Sequence, residues 1–190
     1  MADFWQTPTL EPKRAYKFVL SIPGAGGQGG GGIPKFLVKK VSKPSFSVSE
    51  SEHKFLNHTF YFPGKVTFNE VSFTIVDVIG ADDGTATLMA LFKEMGYRLP
   101  QSPDAGQAAL QTISKASSVD AMKGVRIQQI ASDGSIVDEW KLNNPWIKDV
   151  KFGDLDYDSE ELLNVEVTLR YDNVNYTAKR ADAPVAGNLS

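Results

Sequence analysis

The sequence predicts a mainly β protein, an antiparallel β-sandwich or barrel-like domain with one flanking α-helix. Three observations predict it. Within Glu139–Asp172, the residues Val165, Val167, Leu169 and Tyr171 alternate with Glu166, Thr168, Arg170 and Asp172. That two-residue period belongs to a sheet with one dry face and one wet face. Asp133-Gly134 separates two further alternating runs, a strong short-range hairpin signal. A single stretch, with Leu88, Leu91, Phe92 and Met95, has the i, i+3, i+4, i+7 spacing of an amphipathic helix.

Length and composition set the frame. A chain of 190 residues with 42% hydrophobic content is one domain able to bury a core. We place that domain at residues 13–177, with an N-terminal arm over 1–12 and a C-terminal tail over 178–190. A net charge of −3 gives no basic footprint of the kind nucleic-acid binding leaves. The chain has no cysteine, which excludes disulfides, thiolate metal sites and cysteine nucleophiles. The opening MADFWQTPTLEPKR has no basic region followed by an apolar run, so no secretory signal is expected. No run approaches the roughly 20 apolar residues of a spanning helix, and no membrane anchor is expected.

The elements follow in order. Tyr16, Phe18, Leu20 and Ile22 alternate with Ala15, Lys17, Val19 and Ser21 in a first strand that stops at Pro23-Gly24. The glycine tract 24–32 follows and reads as a flexible loop. Gly24, Gly26 and Gly29 fit G-x-G-x-x-G, but the phosphate-binding reading requires a helix next, and Phe36–Val41 reads as a strand. Residues 47–54 contain a single apolar side chain, Val48. They read either as a strand polar on both faces, with weakly specified register, or as a solvated loop. Thr59–Phe62 is a short strand, Pro63-Gly64 a turn, and 65–79 a long strand with a bulge near Asn69-Glu70, where the apolar phase slips.

The helix is expected to be capped by Asp83 or Thr85 and to end at Gly96, with Met89 and Met95 filling core space. Residues 105–117 are a second, weaker helix candidate. Strands at 125–131, 135–142, 146–152 and 162–172 complete roughly eight, mostly antiparallel.

Sites of chemistry are sparse. Asp154, Asp156 and Asp158 form a D-x-D-x-D run, yet Ser159 and Val165 stand where a calcium loop needs Gly and Glu. We read the run as a solvated acidic turn. His53 and His58 are the only histidines, and their odd spacing on a strand sends them to opposite faces. No catalytic, cofactor or metal residue is assigned, and the chain is not expected to be an enzyme.

The order of motifs resembles the tail tube proteins of contractile-tailed bacteriophages, which share architecture with the type VI secretion tube protein. The matching pieces are RAYKFVLSIPG, KVSKPSFSV, FPGKVTFNEVSFTIVD and the stretch from Glu139 to Asp172, with Trp140, Leu142, Asn144 and Trp146 at its centre. Together they span about residues 13–172. The glycine tract and both arms exceed the compact family pattern. That leaves open the main tube subunit or a tube-initiator or baseplate component of the same fold.

The resemblance implies homohexameric rings stacked into a hollow conduit within a virion tail, assembled in the host cytoplasm and driven through the host envelope by sheath contraction. It implies a tail sheath protein, a baseplate or tube initiator and a tail terminator as partners, with DNA passing through the lumen unbound and no cofactor. On this reading Glu50 and Glu52, or the acidic turn at 154–161, face the lumen, and Trp140, Trp146, Glu166 and Arg170 lie at subunit interfaces. The reading from another class is a monomeric β-sandwich carbohydrate-binding module using Trp140 and Trp146.

Overall fold

A computed structural model describes residues 12–23, 32–80, 82–97 and 112–179. Nearly all of the expected arm and the glycine tract lies outside the described residues, as do most of the candidate helix 105–117 and the tail from 180.

Two four-stranded sheets and a separate hairpin account for ten strands. The first sheet runs in the order β1 (Phe18–Ser21), β6 (Val125–Ile130), β7 (Ile136–Asn143), β10 (Asn173–Ala178). The second runs β2 (Val38–Val41), β5 (Val71–Val76), β9 (Asn164–Arg170), β8 (Trp146–Lys151). Strands β3 (Phe46–Phe55) and β4 (His58–Phe68) pair only with each other among the described residues. All of these ladders are antiparallel.

The alternation predicted for β9 sets the core. Val165, Val167 and Leu169 are fully buried and pair with Ile75, Phe73 and Val71 of β5. Directly opposed side chains on one face are the unit of sheet stabilisation. Leu20, Ile127, Leu142 and Val174 of the first sheet join the same apolar cluster, which makes the two sheets a sandwich. The mainly antiparallel β architecture is the one expected. Each sheet keeps two edge strands, β1 and β10 in one, β2 and β8 in the other.

Two helices cover the core. Helix α1 (Gly84–Glu94) contributes Leu88 and Leu91, with Met95 just beyond its end, and α2 (Lys115–Met122) contributes Ala121 and Met122. Asp83 is the α1 cap, its carboxylate accepting from the Ala86 amide at 2.8 Å. Thr85 does not cap. It donates its amide and hydroxyl to Asp77, at 3.1 and 2.6 Å. A Cβ on Gly84 would lie 2.9 Å from Ile75 Cδ1, so the helix starts tight against β5. Met89 is half exposed and does not fill the core as expected; it lies off the stripe that Leu88, Leu91 and Met95 bury.

Other expectations are corrected. Residues 47–54 form a strand. Pro63-Gly64 is no turn, because β4 runs through it, with Gly64 and Lys65 together opposite Ser49. The phase slip near Asn69-Glu70 is the break where the chain leaves the hairpin and enters the second sheet, not a bulge. The expected strand at 36–41 begins with a 3-10 turn at Lys35–Leu37. Strand β10, Asn173–Ala178, lies beyond the last expected strand, which ends at Asp172, and reaches the first residue of the expected tail. Among the described residues, no helix is long and apolar enough to cross a membrane.

Candidate functional site

The β3–β4 hairpin has the least internal support. All ten residues of β3 are exposed, and its strands extend roughly 30 Å at about 3.3 Å per residue. The pairing register assigns its faces. Toward the tip, Phe55 opposes His58 and His53 opposes Phe60, so one face carries His53, Phe55, His58, Phe60 and Phe62. The other carries Glu50, Glu52, Lys54, Thr59 and Tyr61. At the root the apolar residues switch to this second face, where Phe46 opposes Phe68 and Val48 opposes Val66. The two-residue tip, Leu56-Asn57, reverses the chain between the histidines. They share a face rather than lying on opposite ones, because spacing along one strand does not count across a turn.

Phe68 anchors the root. It packs against the core with its ring 6.0 Å from that of Tyr171 and 6.1 Å from that of Phe46. Among the described residues the distal aromatic face does not join the core: Phe55, Phe60 and Phe62 are about half exposed, and Phe60 has a ring contact only with His58, edge-on at 4.6 Å. Glu50 and Glu52 lie on the opposite, polar face, with Lys54 Nζ 3.7 Å from Glu52.

Beside the root lies a groove of about 600 Å³ lined by Phe68, Ile113, Lys115, Trp146, Arg170 and Asp172, among others. Two of the four predicted interface residues, Trp146 and Arg170, therefore meet in one place. Lys115 donates to both Asp172 oxygens at 2.8 and 2.7 Å. This hydrogen bond, with a second from Asn144, holds the Asp172 carboxyl below its usual range. Burial pushes the neighbouring Tyr171 hydroxyl above its usual range. Arg170 lies 3.5 Å from Glu70, which also receives Lys148.

Glu166 stands apart, exposed on the outer face of β9. Trp140 faces the core, its ring 4.5 Å from that of Tyr176. It also lines a second cleft, of about 860 Å³, between β1 and β2. There Lys13 pairs with buried Asp138, and the hydrogen bond to that carboxylate raises the Lys13 pKa. Sequence reading missed this cleft. Asp154, Asp156 and Asp158 are exposed in a loop between β8 and β9, and no cluster able to hold a metal exists among the described residues.

No protein-family model matches the chain, and no curated protein matches it in sequence. Solved structures do. The sheath/tube terminator of an extracellular contractile injection system (PVC) in its extended state contains a chain 18% identical, with a TM-score of 0.62 over 88% of this chain and 98% of that one. The extended sheath-tube complex of such a system gives 17% identity and a TM-score of 0.58 over 94% and 99%. The anti-feeding prophage baseplate gives 15% and 0.58 over 88% and 97%. The chain thus has the fold found in tube-related components of contractile injection systems. At these identities the likeness is one of fold.

Proposed function

We propose that this chain is a non-enzymatic structural subunit that forms rings and stacks them into the tube of a contractile tail or injection system. The observation that carries the reading is the β3–β4 hairpin, open to water on both faces in a single copy yet bearing an aromatic distal face. Exposed apolar surface of this kind marks contact with another protein, and unpaired strand edges are consumed when neighbouring copies close a ring.

The finer reading is a phage tail tube: six copies per ring, a sheath around them and DNA passing within. The polar hairpin face with Glu50 and Glu52 would line the lumen, where negative charge disfavours the phosphate contacts that would retain DNA. Trp146, Glu166 and Arg170 lie where a neighbour can meet them. A tube initiator or cap of the same fold is the second reading, favoured by the likeness to terminator and baseplate chains.

Negative-stain microscopy and sedimentation of the purified full chain test both. Tubes or stacked rings support the main subunit, and isolated rings the initiator. A monomer at every concentration up to about millimolar would sink both.

A further inference from the structure

Charge is segregated along this chain. Between Pro12 and Ser49 there are seven basic residues, Lys13, Arg14, Lys17, Lys35, Lys39, Lys40 and Lys43, and no Asp or Glu. Between Phe152 and Leu163 there are five carboxylates, Asp154, Asp156, Asp158, Glu160 and Glu161, and no basic residue. The chain as a whole is only slightly negative, so the two blocks are local features with opposite sign.

The structure gives each block a shape. The basic block surrounds the cleft between β1 and β2, whose lining includes Lys13, Lys39, Lys40 and Lys43, with Tyr16 and Phe18 beside them. Its single acidic side chain, Asp138, is already paired with Lys13. Trp140, also in the lining, has a buried indole N–H without a hydrogen-bond partner among the described residues. Lys39, Lys40 and Lys43 are exposed, Lys43 also donating to Gln129 at 2.8 Å, and such a rim suits a carboxylate-bearing segment.

The acidic block is a projection. Leu155 and Tyr157 stand fully in solvent at 89% and 109% exposure, interleaved with the aspartates. Its tip is shaped by the Asp158 amide donating to Asp156 Oδ1 at 3.0 Å. Its neck is pinched at Gly153, where an added Cβ would lie 2.8 Å from the Asn164 carbonyl.

The two blocks do not pair within one copy: among the described residues no salt bridge joins a carboxylate of the loop to Lys39, Lys40 or Lys43. The loop leaves the β8 edge of the second sheet, and the cleft opens at β2, the opposite edge, three inter-strand spacings or roughly 14 Å away across the sheet. Complementary patches on opposite edges make a heterologous, head-to-tail contact, the kind that closes rings.

We infer that the acidic loop 152–163 of one copy docks in the lysine-rimmed cleft of a second copy. Carboxylates of the loop meet Lys39, Lys40 and Lys43, and Leu155 and Tyr157 lie against Tyr16 and Phe18. This rests on the ring-forming reading, and it names which edges meet.

Charge reversal tests the contact. Lys39→Glu/Lys40→Glu/Lys43→Glu and Asp154→Lys/Asp156→Lys/Asp158→Lys alter exposed side chains, and circular dichroism checks that each variant folds. Each variant alone should weaken assembly by about tenfold or more, and an equimolar mixture should restore it, since like-charge juxtaposition penalises one pairing and not the other. Because the chain has no native cysteine, Lys40→Cys mixed with Asp156→Cys should give an intermolecular disulfide on oxidation. Rings that form without this cross-link, or reversals that assemble like the parent, overturn the inference and leave the ring reading standing. If the parent proves monomeric, a labelled peptide of residues 152–163 decides. Binding that falls with salt and is lost in the lysine-reversed variant supports the contact, and no binding overturns it.

Discussion

The rings of Phe68 and Tyr171 meet at a tilt of 53° with a centroid separation of 6.0 Å, and this contact joins a hairpin that otherwise stands in water to the sandwich. Tyr171 is buried, so the anchor draws on the core itself. Replacing Phe68 with Ala should destabilise the protein by about 2 kcal/mol, below the roughly 3–5 kcal/mol of a fully buried Phe because this ring is partly exposed. Urea titration reads the loss. Amide exchange should show β3 and β4 losing protection before the two sheets do.

Phe73 gives the contrasting case. It is among the largest fully buried side chains, opposite Val167 on the inner face of the second sheet. Phe73→Ala should cost about 4 kcal/mol through lost burial and the cavity left behind, lowering the urea midpoint with little change in slope.

The start of α1 depends on Asp83, which accepts from the Ala86 amide at 2.8 Å. Asp83→Ala should cost about 1 kcal/mol, visible as a lower melting temperature, while Asp83→Asn, which can still accept, should recover most of it.

Asp172 fastens α2 to the sheet end through Lys115. Its carboxyl sits below the ordinary range in the folded chain. The pair's contribution is therefore present above the unfolded aspartate pKa and is lost as pH falls through the lower folded value. Both side chains are more than a third exposed, so the loss should not exceed about 1 kcal/mol. Lys115→Met should lower stability at neutral pH by up to about 1 kcal/mol, leave it nearly unchanged at the acid end, and so flatten the profile below pH ~4.

At the hairpin tip, Phe60→Ser/Phe62→Ser should leave the melting temperature within about 2 °C of the parent, because surface changes usually stay within about 0.5 kcal/mol. Assembly, followed by sedimentation velocity, should weaken by at least about tenfold. An equal loss of stability and assembly would instead mean that the two rings support the monomer.

Much of the sandwich was legible because burial imposes a period. The β9 alternation, the α1 stripe and the Asp133-Gly134 reversal each follow from one face being dry. The failures have equally specific causes. Strand β10 begins directly after Asp172, and its residues Asn173, Asn175 and Thr177 carry little strand signature; pairing with β7 decides it, a tertiary effect that local propensity does not contain. Pro63-Gly64 reads as a turn, yet on a strand with one unpaired edge a proline costs no ladder bond. The two histidines share a face despite their odd spacing because Leu56-Asn57 resets the parity. The lysine-rimmed cleft, in contrast, had a signal in plain view: a long span without a single carboxylate.

Gly64 and Lys65 share one partner, Ser49, and an added Cβ on Gly64 would lie 2.4 Å from the Ser49 hydroxyl. That extra residue is why the root of the hairpin turns its oily side toward its own body and the tip turns its oily side away. Regular pairing through this point would put Val66 and Phe68 on the face of Phe60 and Phe62 while leaving Phe46 and Val48 on the other, which would undo the cross-strand apolar pairs at the root. The pairing at this point thus acts as a selector of what the hairpin can grip, without touching any residue that does the gripping.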